Sequence, residues 1–402
     1  MELLGIYGKI IHEYEGDGSV TLDTGQIFKC SIRAVQLADG RIMASCRFSE
    51  DINSVLLCLN KQNSFTSIKG VTKDGWEFII GGHLSKTASN FTYARSESTT
   101  IDIVFTADIV KLTKYIDRDV KSVKFGITNF EFLGNKFTEY PNGGALDTLS
   151  VTLGDNTVEI HAVKDYKIIT QLIRAQRGID VTSEMEVKIA SITDLDIIIP
   201  MIDALCMLLS LARGTKINWI YYDSYDSLGE KISSSHNNNV AWQYARLPLI
   251  DPNNPNETAD FVNQSFSAYL AHKDDLRIAI ETYLDSKRET GYLEIRALRA
   301  VVVLEFLKSR YAKKKKLRKS FRAILETMFV ELGISVTKGE LDRFIKIRNS
   351  LVHEASFVTK EYWNEYAFLI GILDRIFLKI LNYNGNLLDI ANKFNRIDTT
   401  QP

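Results

Sequence analysis

Residues 347–353 read Ile-Arg-Asn-Ser-Leu-Val-His, a short stretch dense in groups that can do chemistry. Arg348 is permanently cationic and presents a planar fork of donors that fits phosphate oxygens. His353 can take or give a proton near neutral pH. Together they supply what cleavage of an RNA phosphodiester needs without a metal: charge stabilisation at the phosphate, and a proton acceptor or donor near the 2′-OH. Asn349 adds a polar group able to order both. On an ideal helix, five residues set the two Cβ atoms about 140° apart. Convergence on one cleft therefore asks for a frayed or bent helix end at His353, and residues 354–357, leading to Thr359 as the next N-cap candidate, allow one. The bare spacing also suits an ordinary surface arginine and histidine.

Two further features lie upstream. Lys313, Lys314, Lys315 and Lys316, followed by Arg318, Lys319 and Arg322, form a basic run that reads either as a footprint for a phosphate backbone or as a solvated connection between helices. Glu305 sits in an otherwise apolar helix, as a carboxylate that orients Arg348 or as a structural ion-pair partner. The remaining histidines, His12, His83, His161, His236 and His272, show no metal-ligand spacing and receive no role. No Walker lysine motif occurs, and Gly81-Gly82 and Gly143-Gly144 read as turns. The stretch 219–222, Trp-Ile-Tyr-Tyr, is either an aromatic recognition strand or, more commonly, core. No cofactor and no metal are expected.

The elements that must position these residues fall into two parts. Residues 1 to about 190 show short period-2 segments closed by turn residues, such as 19–22, 41–46, 76–80, 100–105, 122–125, 150–153, 157–160 and 186–189, which predicts a sandwich or barrel. Residues 191–213 switch to helical spacing, with Gly214 as C-cap. Residues 216–222 predict a strand, 233–239 a polar loop, and 249–257, with Pro252 and Pro255, a linker. From 258 onward the periodicity predicts helices over 258–286, 292–311, 317–333, 338–353 and 359–382. Thr337-Lys-Gly-Glu340 reads as a capping box, and Asn384-Gly385 suits the end of the last helix. The fold class is α+β multidomain: an N-terminal antiparallel β-sandwich-like module, residues 1–250, then a helical bundle, residues 257–390.

Composition narrows the class further. The 402 residues carry a formal net charge of −1, so overall charge does not mark the molecule as a polyanion binder. Yet residues 286–350 hold 17 Lys and Arg against 7 Asp and Glu, a local excess around the motif. Cys30, Cys46, Cys58 and Cys206 form no C-x-x-C pair and fit reduced, buried thiols. The first residues lack the basic and apolar regions of a signal peptide. The most apolar stretches, 197–211 and 366–381, are broken by charges and short for a bilayer span of ~20 residues. A cytoplasmic protein with no membrane partner is expected.

The motif in its context resembles the HEPN family. The resemblance rests on Arg348 with Asn directly after it, His353, apolar residues at 351 and 352, the preceding helix 341–348, the earlier helix 298–308 containing Glu305, and the long apolar helix after the motif. The order of a β module, then Leu208-Leu-Ser-Leu-Ala-Arg-Gly214, then this domain, resembles the ApeA-like branch of anti-phage proteins. The resemblance implies RNase activity, a homodimer in which two motif pairs line one composite cleft, and a role in abortive infection, with the β module sensing a phage-derived trigger. Ala355 stands where a nucleotide-modified HEPN subgroup has Tyr, which argues against that variant. Two other classes stay open: a non-catalytic HEPN module binding nucleic acid or a partner, and a β-sandwich carbohydrate-binding protein using Trp76, Trp219 or Trp242.

Overall fold

Strand alternation is plainest at residues 27–34, where Phe28, Cys30, Ile32 and Ala34 are buried while Ile27, Lys29 and Ser31 are exposed. A pleated strand with one buried face demands this pattern. The structure, a computed structural model, describes residues 8–50, 52–60, 65–93, 99–115, 118–140, 143–154, 156–176, 178–189, 194–239, 247–289, 291–389 and 395–398. The side chain of Cys58, the helix start expected at 191–193, and Trp242 lie outside the described residues.

In chain order the first elements are β1 (Ile10–Leu22), β2 (Ile27–Leu37), β3 (Ile42–Phe48), α1 (Ile52–Asn60), β4 (Phe65–Thr72), β5 (Glu77–Gly81), β6 (Ser85–Tyr93), β7 (Thr99–Ala107), β8 (Ile109–Thr113) and β9 (Ser122–Thr128). There follow β10 (Lys136–Tyr140), β11 (Gly143–Leu153), β12 (Asn156–Ala162), α2 (Tyr166–Gln176), β13 (Val181–Lys188), α3 (Leu195–Arg213), β14 (Trp219–Tyr225) and β15 (Lys231–Asn237). The helical half holds α4 (Glu257–Ala271), α5 (Lys273–Lys287), α6 (Leu293–Lys314), α7 (Phe321–Glu331), α8 (Lys338–Glu354) and α9 (Tyr362–Ile380), then β16 (Asn386–Asp389) and β17 (Asn395–Asp398). The architecture is thus a large antiparallel sheet N-terminally and helices C-terminally.

The chain divides into two units, and it crosses between them more than once. The first comprises 1–128, 179–197 and 218–242; the second comprises 129–178, 198–217 and 243–402. Within the first unit the strands follow in the order β13-β9-β14-β15-β8-β5-β4-β1-β2-β3-β7-β6, every pair antiparallel. They run as one hydrogen-bonded series that folds back on itself, since Tyr14 of β1 and Gln36 of β2 reach His236 of β15 across three intervening strands. Val20, Phe28, Ile32, Ile68, Phe78, Ile103, Phe105 and Leu112 fill its core.

In the second unit β10, β11 and β12 form an antiparallel meander. α4 packs on β11, where Asn263 Oδ1 accepts from the Thr152 N–H at 2.7 Å. α5, α6 and α9 pack together. Tyr283 of α5 donates to Asp374 of α9, and the buried Lys287 ammonium lies 3.4 Å from the same carboxylate.

Several expectations need correction. The stretch 258–286 is two helices, parted at His272, whose φ of −129° and ψ of 20° leave the helical region. Residues 233–239 are mostly strand, since β15 is a strand of serines and a histidine whose polar side chains find buried partners. Residues 249–257 do not link domains: Leu249 and Ile250 are buried and their N–H groups bond the Ala212 carbonyl within the second unit. α3 is 19 residues long with mean hydropathy 2.1, enough by length and composition to cross a membrane, yet 61% of that stretch is buried within the protein. It ends at Gly214, whose φ of +67° and tight approach to the Leu247 carbonyl exclude a side chain. The C-terminal part is not purely helical, since β16 and β17 form a hairpin after α9.

Candidate functional site

α8 exists because its sequence supplies both a start and a face. Thr337 Oγ1 accepts from the Glu340 N–H at 3.1 Å, and Glu340 Oε2 accepts from the Thr337 N–H at 2.8 Å, so the predicted capping box is present. Leu341, Phe344, Ile347 and Leu351 form the buried stripe. The helix runs to Glu354 and stops at Ala355, whose φ of +53° is left-handed. The next helix is capped at Glu361 rather than Thr359; Thr359 instead accepts from the Glu361 N–H at 3.1 Å and donates its own N–H to the buried Glu365.

Arg348 leaves α8 beside its buried stripe and meets α6. Its Nε donates to Glu305 Oε1 at 2.9 Å, another guanidinium nitrogen lies 2.8 Å from the same oxygen, and the third donates to Asn349 Oδ1 at 2.9 Å. Glu305 Oε2 accepts from Lys308 at 2.7 Å, one helical turn along α6. The Phe321 ring lies under both cations, 5.2 Å from the guanidinium carbon and 4.4 Å from the ammonium. One carboxylate therefore holds two cations over an aromatic face. The Arg348 side chain is 25% exposed and that of Glu305 30%. Such a partly buried, partnered guanidinium is fixed in place and still reachable by an anion.

The structure brings together Arg348, Asn349 and Glu305 and leaves His353 outside that cluster. α8 stays helical through residue 353, so the two side chains keep their wide angular separation and no bent end brings them together. His353 is exposed, with no hydrogen bond or ion pair among the described residues. The basic run also stands apart. Lys313 and Lys314 are the last residues of α6, Lys315 caps it, and Lys316 has a left-handed φ of +54°. Nine residues of helix between Glu305 and Lys314 amount to about 13 Å. Lys315 is taken by an ion pair with Glu331, and cations at a helix C-terminus are stabilising in their own right. Arg318 and Lys319 are exposed in the following connection. Two members of the cluster, Lys308 and Phe321, escape a reading of the sequence. The i,i+3 spacing of Glu305 and Lys308 is a usable signal; Phe321 comes from another helix and has none.

The first unit holds a second, wholly different constellation. His236 on β15 is completely buried. Its Nε2 lies 2.8 Å from the Tyr14 hydroxyl and 2.9 Å from Ser234 Oγ, and its Nδ1 lies 2.8 Å from Gln36 Oε1. The His12 ring stands edge-on to His236 and Tyr221, at 4.6 and 4.5 Å. Burial pulls the His12 imidazole down to about 4, with Asp223 opposing and Lys231 assisting. Burial also lowers His236 and raises the phenols of Tyr14 and Tyr221. Among the described residues, no group of three His, Cys, Asp or Glu side chains converges as a metal site. Trp219 is core, at 4% exposure, and Trp76 is half-buried.

Residues 116–247 match the family described as the YopA central domain. That match covers less than half of the chain and ends before α4, so it leaves the helices carrying Glu305 and Arg348 outside. No curated protein and no solved structure matches the chain.

Proposed function

We propose that the helical part is a HEPN-type, metal-independent RNA endonuclease. His353 moves the proton, Arg348 holds the scissile phosphate, and Asn349 helps to order them. Glu305 acts as a positioning residue that aims the guanidinium. The observation that carries this reading is the Glu305–Arg348–Asn349 cluster, a guanidinium fixed on two helices yet open to solvent. Cleavage leaves a 2′,3′-cyclic phosphate, or its 3′-phosphate, and a 5′-OH. In a cell the enzyme serves as an effector of anti-phage defence by abortive infection, with the β unit as sensor of a phage-derived trigger.

The separation of His353 from Arg348 within one chain favours a homodimer. A two-fold axis sets one copy's imidazole opposite its partner's guanidinium and doubles the inventory around one phosphate. Phe344 and Leu351, candidates for that interface by position, are buried in their own chain and cannot serve it. Tyr362 and Trp363, each 45% exposed, and Val352, 44% exposed, remain. A second reading is a non-catalytic module that binds nucleic acid or a partner. What favours it is that every nitrogen of the Arg348 side chain already has a protein acceptor.

The deciding experiment incubates the purified protein with RNA in excess EDTA and analyses the ends. Metal-free cleavage leaving a cyclic phosphate is expected. Cleavage that stops on chelation and returns with Mg²⁺ would overturn the mechanism, and none under any condition leaves the binding module. Mixing inactive Arg348→Ala and His353→Ala proteins should restore activity in proportion to heterodimer. A fully active monomer at micromolar concentration would sink the composite site.

A further inference from the structure

We propose that the β unit binds a mononucleotide in the cleft where β1 and β4 part. The two strands are paired from Gly16↔Thr72 to Leu22↔Phe65, and before Gly16 the partner of β1 is β2 alone. Gly16 permits the last close approach: a Cβ there would sit 2.2 Å from the Val71 carbonyl oxygen. Beyond it β1 swings toward Tyr221 and His236, and β4 turns through residues 73–75 into β5. The gap is a cleft of about 360 Å³ lined by Tyr14, Glu15, Lys73, Asp74, Trp76 and Ser234, among others. That volume is in the range of small-molecule sites.

Its floor is polar and fixed. Gln36 Nε2 donates to the carbonyls of Ile220 at 2.7 Å and Asn237 at 3.2 Å, so its Oε1 faces the His236 Nδ1 proton. His236 Nε2 then accepts from the Tyr14 hydroxyl, and Ser234 donates to Asp223 Oδ1 at 2.5 Å. Both hydroxyl protons are committed inward, and what Tyr14 and Ser234 offer a ligand is an oxygen lone pair. Asp74, held by Thr72 at 2.6 Å, adds another acceptor. The wall is the half-buried Trp76 indole, with the ammoniums of Lys114 and Lys231 at 5.7 and 5.9 Å from its centre. Lys231 is balanced by Asp223 at 2.7 Å and the Lys114 charge acts on Asp74, whereas Lys73 forms no ion pair among the described residues. Acceptors below, a flat π-face beside and the unpaired Lys73 ammonium at the mouth call for one ligand carrying N–H and O–H donors, a planar ring and an anion. A nucleoside monophosphate carries all three; a neutral sugar lacks the ring and the anion.

This inference stands apart from the ribonuclease reading and is tested separately. Calorimetry on the full chain would compare AMP, GMP, CMP and UMP with adenosine and with inorganic phosphate. At least one monophosphate should bind in the micromolar range, with its nucleoside and phosphate alone each about tenfold weaker or worse. Trp76→Leu should weaken binding about tenfold, by loss of stacking. Lys73→Glu, on an exposed turn where folding is not at stake, should weaken it several-fold, and Arg348→Ala should leave it unchanged. No binding at millimolar nucleotide, equal affinity for adenosine, or loss in Arg348→Ala but not in Lys73→Glu would each overturn the proposal.

Discussion

Arg348 keeps a quarter of its side chain in solvent and His353 is exposed, whereas His236 is completely buried and burial shifts both it and His12 away from their ordinary range. The helical unit spends one carboxylate to aim a guanidinium outward. In the β unit burial keeps an imidazole neutral, and Gln36, Tyr14 and Ser234 hold it still. The first arrangement leaves proton exchange open to whatever arrives. The second fixes every proton in advance, which suits recognition rather than proton transfer. The difference teaches that titratable residues in one chain divide by access, one set held from solvent by burial and the other left open to it.

The sharpest way to break this contrast is to remove the exposed pair. Arg348→Ala and His353→Ala should each lower RNA cleavage by about 100-fold or more. His353→Ala should leave thermal stability unchanged, since that exposed imidazole makes no hydrogen bond or ion pair among the described residues. His236→Leu, by contrast, should cost stability, because it leaves the Tyr14 hydroxyl and Gln36 Oε1 buried without their partner. Cleavage at the wild-type rate by the double variant Arg348→Ala/His353→Ala would end the assignment.

Acid should separate the two units next. An unfolded His12 imidazole takes its proton near 6.5, and the folded one not until about 4. Between those values the unfolded chain binds more protons, so stability falls as pH drops through that window and is fully present above 6.5. For His12 alone the loss is about 3 kcal/mol. The groups facing it are Asp223, which opposes the shift, Lys231 and His236, which is lowered in the same direction. Urea unfolding of the β unit, followed by its tryptophans between pH 7 and 4, should show this loss, and His12→Phe should flatten it. A midpoint independent of pH across the window would refute the buried-neutral imidazole.

Legibility in the sequence divides along the same line. Thr337 and Glu340, the apolar stripe of α8, and the residues 348, 349 and 353 are near neighbours on one helix, where period and capping rules apply directly. Glu305 could be suspected because an acid in an apolar helix needs a partner. The β network joins residues 12, 14 and 36 of the β1–β2 pair to residues 223, 234 and 236 of the β14–β15 pair, strands that are not neighbours in the sheet order and meet only through tertiary packing. A run of serines ending in His236 reads as a loop because burial, which makes it a strand, is conferred by the rest of the sheet. The division of the chain between units is hidden for the same reason: contacts distant in sequence decide it.

A smaller effect probes how Arg348 is held. Glu305→Gln keeps the shape and one acceptor but removes the charge shared by Arg348 and Lys308. Cleavage should drop about tenfold, through kcat more than KM, because the guanidinium remains present but less well aimed. Glu305→Asp should recover less than the wild-type rate, and a rate unchanged in Glu305→Gln would make the pair structural only.

The smallest expected effect concerns the basic run, which tests how far the exposed site extends. If Lys313, Lys314 and Lys316 touch backbone phosphates, changing the four lysines 313–316 to serine should weaken RNA binding several-fold for every sequence. The plot of log affinity against log salt should become shallower by about 0.7 for each phosphate of single-stranded RNA that is no longer neutralised. Lys315 should contribute least, since Glu331 already pairs with it, and Glu331→Gln should free it and steepen the slope. Because the run lies about 13 Å along α6 from Glu305, cleavage at saturating RNA should hardly change, and the loss should appear in KM. An unchanged salt slope would return the run to a solvated helix end, its lysines balanced against the carbonyls of the last turn of α6.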